Sequence, residues 1–237
     1  MNQLLENPKK RIAKQYVKAS VHYGHTTKEW NPKMAPYILY EKNGYHIIDL
    51  VQTLKFLRLA GNAVEKTAKL GKRILFVGTS KLSSALVTAE AKKSNAFYIN
   101  YRWLGGTLTN WSTLQKRIQK LKELEINQKS GAFDKLPRKE RNQKQKLLAR
   151  LRRSFQGIKH MTKMPDVVIF TSQVKDFLAI QECLKLGIPV ICLVDTNCDP
   201  DLVPYPIPAN DDSYSSIKLI LSYLGKRIRR GIQKRKK

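Results

Sequence analysis

Short apolar runs alternate along this chain with longer stretches in which apolar residues recur every three or four positions, and Gly or Pro marks many of the joins. That alternation predicts a mainly parallel sheet with helices on both faces. RILFVG at Arg73–Gly78, AFYIN at Ala96–Asn100, DVVIFT at Asp166–Thr171 and PVICLVD at Pro189–Asp195 read as strands, and His46–Leu50 adds another. Helical spacing covers about Leu50–Leu70, Leu82–Ser94, Lys175–Leu186 and Ser213–Arg230. Gly71 and Gly187 each stand just past a helix, where a left-handed cap residue is expected.

The segment between the second and third of these strands is too long and too helical for a simple crossover. Thr113–Gln128 places Leu114, Ile118, Leu121 and Leu124 on one stripe, and Pro137–Ile158 does the same with Leu147, Leu151, Phe155 and Ile158. The link SGAFDKLP carries a turn-forming Gly and a Pro suited to a helix start, so the pair reads as an antiparallel hairpin. The second helix opens with PRKERNQKQK, which offers no apolar side chain beyond the proline ring. This end of the hairpin should therefore project into solvent or onto another molecule. The division that follows is one α/β domain made of residues 1–111 and 159–226, an inserted helical hairpin at 112–158, and a basic C-terminal tail at 227–237.

Charge changes the picture most. The chain has 45 Lys+Arg against 18 Asp+Glu, a formal net charge of +27 on 237 residues, and folding alone gives no reason for that excess. A large polyanion is the natural partner. The charge is also uneven: residues 107–163 hold sixteen Lys or Arg against four Asp or Glu, whereas residues 164–224 are net acidic at −5. A solvated charged face and an arm that contacts RNA or a partner both fit the hairpin. No apolar run approaches the roughly 20 residues that cross a bilayer. The N-terminus carries neither a secretory signal nor a transit pattern, so the chain is expected to work where it is made. Cys183, Cys192 and Cys198 are expected to be buried thiols, because their spacing is not that of paired zinc ligands.

Other motifs carry weaker chemistry. Gly78 and Thr79 lead from a strand into a helix N-terminus, yet neither GxGxxG nor GxxxxGK[ST] is present, and an ordinary strand-to-helix turn is expected. His22 and His25 lie close in sequence, and Asp195, Asp199 and Asp201 follow a strand end, where open α/β sheets place active sites. The histidines fit loop-fixing donors or RNA contacts. Asp195 and Asn197 fit a braced turn, and Asn210–Asp212 a cap for the last helix. NYRWLGGTLTNW at Asn100–Trp111 combines two Trp with Arg102 and a Gly pair, which suits a base-stacking surface or a core corner equally.

HYGHTTKEWNPKMAPYI at His22–Ile38, NGYHIIDL, ILFVGT, RWLGGTLTNW at Arg102–Trp111, GIKHM, and LGIPVICLVDTNCDPD followed by IPANDDSYSSIKLI resemble the signature blocks of the bacterial-type ribosomal protein S2 family. They run in the family's order from about residue 15 to residue 224. The resemblance implies a flavodoxin-like or Rossmann-like α/β domain with an inserted helical hairpin. It implies no catalysis, no cofactor and no metal, and a place on the small subunit bound to ribosomal RNA and neighbouring ribosomal proteins, helping in bacteria to hold the mRNA-capturing protein S1. Thr171, Pro204 and Ala209 depart from residues common in the family, and the loss of two acidic groups weakens any retained ligand site at the sheet edge. QECLKLGIP with IPANDD is plastid-like, which points to a plastid ribosome, with a bacterial cytoplasm as the alternative.

On charge and motif position, the candidate phosphate contacts are Lys9, Lys10, Arg11 and Lys14, Lys33 after the Trp30-Asn31-Pro32 turn, Arg102, and Arg227, Arg229 and Arg230. No membrane and no small-molecule substrate are expected as partners. The competing readings are an enzyme acting at the sheet's carboxyl edge and an adaptor that binds protein through the hairpin.

Overall fold

The computed structural model describes residues 8–236, with side-chain environments for 12–235. Helix α1 (Pro8–Lys18) leads into three short strands, β1 (Tyr23–Thr26), β2 (Ile38–Lys42) and β3 (Tyr45–Ile48), which form a separate antiparallel sheet in the order β1-β3-β2. Then follow α2 (Leu50–Lys69), β4 (Ile74–Val77), α3 (Lys81–Lys93), β5 (Phe97–Ile99), α4 (Trp111–Lys129), α5 (Arg138–Phe155) and β6 (Val167–Phe170). The chain closes with α6 (Phe177–Lys185), β7 (Val190–Val194), β8 (Tyr205–Pro208) and α7 (Tyr214–Lys236). The five later strands pair in parallel in the order β5-β4-β6-β7-β8. Counted from β4, that is the 2-1-3-4-5 order of flavodoxin-like sheets.

Continuous apolar strands are what a sheet covered on both faces requires. Along β4, Ile74 and Phe76 face a core shared with α2, α3 and α7, while Leu75 and Val77 face a second core. That second core includes Leu114, Ile118, Leu121 and Leu124 of α4 and Leu148, Leu151 and Phe155 of α5, so the hairpin packs into the same layer as one face of the sheet. Leu147, expected on the stripe, is only partly buried, and Leu148 takes its place. Almost every residue from Pro137 to Lys146 is exposed, with Arg141 half-buried.

Two expectations shift. His46–Leu50 supplies β3 of the small sheet and no strand of the large one, whose fifth strand is YPIP at β8. Two prolines argue against a central strand, but β8 is an edge, where a missing N–H costs nothing. The last helix runs on past Arg230 to Lys236, because Ile228 and Gly231 continue the buried stripe of Leu221 and Leu224. Gly71 and Gly187 adopt φ of +69° and +65°, the left-handed caps their positions predict.

Candidate nucleic-acid interface

Sheets of this topology hold ligands beyond the carboxyl ends of the strands, at the β4/β6 switch point. Here Thr79, Ser83, Thr171 and Asp176 crowd the switch point itself, while a cavity of about 500 Å³ lined by His25, Asp195, Asn210 and Asp212 stays open farther along the same edge. Thr79 Oγ1 donates to Asp176 Oδ1 at 2.7 Å, and a Cβ on Gly78 would meet Ser83 Oγ at 2.7 Å and Thr171 Oγ1 at 2.8 Å. Gln173 clamps the next loop, donating to the Asp199 carbonyl and accepting from the Asp199 N–H at 2.7 Å.

His22 and His25 separate in role. The His25 N–H donates to Thr196 Oγ1 at 2.8 Å, its Nδ1 lies 3.2 Å from Asp195 Oδ1 and its Nε2 lies 3.4 Å from Asp212 Oδ2. The hydrogen bond to Asp195 raises the imidazole to about 9 against opposing burial, with Asp211 and Asp212 assisting. His25, Asp195 and Asp211 offer ligand atoms within 4.8 Å of one another, a set that could hold a cation, and the imidazolium itself supplies a positive charge there. His22 is instead lowered by burial and by nearby Lys42. Asn210 Oδ1 accepts from the N–H groups of Asp212 and Ser213 at 2.8 and 2.9 Å, bracing the start of α7 as expected.

Burial raises both Asp176 and Asp211 to about 6, in the second case with help from Asp195. A carboxyl raised by folding contributes stability that is fully present below its unfolded value near 3.8 and is lost as pH rises through 6. These two carboxyls should therefore make the protein more stable at pH 5 than at pH 8 by roughly 3 kcal/mol, since a tenfold change in proton affinity is worth about 1.4 kcal/mol, and His25, raised from 6.5 to about 9, adds to the fall above pH 6.5. Asp176→Asn should remove about half of the carboxyl part of that fall and leave the Asp211 part in place. Urea denaturation at the two pH values checks this, and a profile flat or rising toward pH 8 in the wild type contradicts it.

The loop from Asn100 to Trp111 resolves as a core corner. Trp103 is buried, and its Nε1–H donates to Glu182 Oε1 at 3.0 Å. The same oxygen accepts from Gly106 N–H at 2.8 Å, while Oε2 accepts from the N–H groups of Leu108 (2.9 Å) and Thr109 (3.1 Å) and from Thr109 Oγ1. Burial pushes this carboxyl up, but the indole and the three N–H groups outweigh it and hold it below the usual range. Glu182 escaped the sequence reading. Its one signal was an acid beside buried Ala179 and Cys183 on an otherwise apolar helix face.

The candidate phosphate contacts divide by what they already touch. Lys33 Nζ lies 2.7 Å from Asp199 and 3.3 Å from Asp201. Arg227 and Arg230 face Glu65, joined by Lys234, and Arg229 Nη1 meets Glu90 at 2.6 Å. Lys9, Lys10 and Arg11 fall in α1 with side chains outside the described residues, and Lys14 is exposed on the same helix. Arg102 is exposed and, among the described residues, makes no ion pair or side-chain hydrogen bond. Arg117 on α4 and Arg150 on α5 share that state and flank it, and neither was singled out from sequence. Arg153 lies over the Tyr101 ring, 3.9 Å from its centroid.

A flavodoxin-like parallel sheet with helices on both faces and an inserted basic helical hairpin defines an α/β protein of the flavodoxin-like class. The chain belongs to the ribosomal protein S2 family, whose pattern it matches over residues 16–231. It is 49% identical over 217 residues to the small ribosomal subunit protein uS2 of Trichormus variabilis, covering 92% of this chain and 82% of the relative. It is 49% identical over 208 residues to the small ribosomal subunit protein uS2c of Guillardia theta, with 88% of each covered. The uS2c of Cyanophora paradoxa is 50% identical over 215 residues, covering 91% and 92%.

Proposed function

We propose that this protein is a structural constituent of the small ribosomal subunit, where it binds small-subunit ribosomal RNA and neighbouring ribosomal proteins during translation. The observation that carries the reading is the excess of sixteen Lys or Arg over four Asp or Glu across residues 107–163, on a scaffold of the S2 family. Lys and Arg on such a surface neutralise closely spaced phosphates and release condensed counterions, while the folded shape of the RNA supplies the fit. The hairpin serves as an inserted arm and Arg102 as a phosphate contact at its base. Lys33, Arg227, Arg229 and Arg230 contact phosphate with charge already partly balanced, so each contributes less than Arg102. The role is structural and not catalytic, a reading supported by the chain's place in a ribosomal protein family. The proposed place of work is the ribosome of the plastid stroma, with the bacterial cytoplasm as the alternative. No helix among the described residues is long and apolar enough to cross a membrane.

Sedimentation of a tagged copy in native extract, at low and high salt and with and without nuclease, tests the reading. Co-migration with small-subunit RNA, lost on RNA digestion or at high salt, is the expected result. Migration as a free protein, or in a small complex indifferent to nuclease, would overturn it in favour of the enzyme or adaptor. Fractionation of the source cell decides between the two compartments.

A further inference from the structure

After β5 the chain crosses the base of the hairpin, and a cavity of about 670 Å³ opens there between residues 101–104 and the helices α4 and α5. Its floor is apolar, built from Leu104, Leu151 and Phe155, and its rim carries Arg102, Arg117 and Arg150. Glu65, Glu90, Asp199 and Asp201 balance other arginines and lysines of this protein, but among the described residues these three guanidinium groups have no carboxylate. The acids of α4 and Glu182 are engaged elsewhere. Glu125 is held by Arg152 and Lys159, Glu123 by Lys120, and Glu182 by Trp103 and the loop N–H groups. Tyr101 borders the cavity, partly exposed, with Arg153 fixed on its ring.

An apolar floor ringed by unneutralised guanidinium groups, with an aromatic at the lip, matches one nucleotide drawn out of a helix. The base is a flat, largely apolar plate, and the phosphates on either side of it are anions spaced around that plate. A paired base cannot enter, because both its faces are already stacked. The volume also falls in the range of roughly 300–1,000 Å³ that small-molecule sites occupy. We propose that this cavity receives a single unpaired nucleotide of ribosomal RNA, with its base on the Leu104–Leu151–Phe155 floor and the flanking phosphates on Arg102, Arg117 and Arg150. The assignment rests on the RNA-binding role proposed above and names the form of RNA that the site takes. Each guanidinium then acts as a forked donor to a phosphate, a task that Lys performs less well.

The test uses the full-length protein and two synthetic RNA hairpins, one fully paired and one with a single bulged 2-aminopurine. Wild type should bind the bulged hairpin about tenfold or more tightly than the paired one, as the docking of one base allows, with a change in 2-aminopurine fluorescence. The Arg102→Ala/Arg117→Ala/Arg150→Ala variant should lose that preference and lower the salt dependence by about two to three phosphates' worth. The matching triple Lys variant should keep most of the salt dependence and lose part of the preference. Thermal melting within about 2 °C of wild type shows that each variant is folded. Equal binding of the two hairpins by wild type, or full preference retained by the Ala variant, overturns the cavity assignment while the RNA-binding role stands. Displacement of the bulged RNA by octaglutamate at equal concentration overturns it in favour of an acidic protein segment. Failure to bind either hairpin at low salt, together with no co-sedimentation with the small subunit, overturns the underlying role as well.

Discussion

Glu182→Ala is expected to lower the stability of the folded protein by about 3–5 kcal/mol. The carboxylate is buried and accepts from the Trp103 indole, the backbone N–H groups of Gly106, Leu108 and Thr109, and the Thr109 hydroxyl. Removing it takes the partner from all five donors; those of Trp103 and Leu108 are buried, and each buried donor left without a partner costs roughly 1–3 kcal/mol. Relaxation and entering water recover part of that, so the sum falls below five separate penalties. For a chain of this size the loss corresponds to a fall in Tm of about 6–20 °C. Glu182→Gln should cost less, because one carbonyl oxygen remains to accept while its amide group opposes donors. Thermal melting followed by tryptophan emission reports both the global loss and the release of Trp103. A loss below about 1 kcal/mol for the Ala variant would mean that Glu182 does not hold the loop, and that apolar packing of Trp103 alone does.

That loop also shows where sequence reading stopped. The blocks around Trp103 and Glu182 were both visible, but they are 79 residues apart and nothing local says that one anchors the other. Strands β4, β6 and β7 were legible because burial on both faces makes them continuously apolar, which leaves no register to misread. Strand β8 was not, since its two prolines speak against a strand until its place at the edge is known. The small sheet was missed for a different reason: β1 and β2 are short and mostly exposed, so they carry little apolar alternation. Charge behaved in the same way at the interface. Arg102 and Arg229 are alike in residue type, and only the fold puts Glu90, 139 residues away, against one of them and, among the described residues, leaves the other without a carboxylate. Type and density of charge are written locally. Pairing is not.

Gly225→Val is expected to cost about 3 kcal/mol and to loosen the last three turns of α7. At Gly225 this helix passes α3 so closely that a Cβ would collide with the Glu90 carboxylate. Arg229, one turn on, reaches back to the same carboxylate at 2.6 Å and to Ser94 Oγ at 3.0 Å. A Val side chain there must displace Glu90 and so both overpacks the contact and breaks the pair, at roughly 1–3 kcal/mol for the first alone. Farther along, Gly231 lies against the Glu65 backbone, and Arg227 and Lys234 reach the Glu65 side chain at 3.1 and 2.6 Å. Once the helix lifts at residue 225 these later contacts loosen in turn. Hydrogen exchange should then rise across residues 225–236 and on the facing part of α2, with the sheet unchanged. In a Glu90→Ala background the added cost of Gly225→Val should shrink to under half, since the group it strikes is gone. An equal cost in both backgrounds would mean that the close approach to Glu90 is not what seats the helix. The outcome also bears on the RNA surface: if α7 is held as described, its arginines are presented at fixed spacing along a rigid helix, whereas a loosened end would offer them to phosphate at the cost of ordering each one.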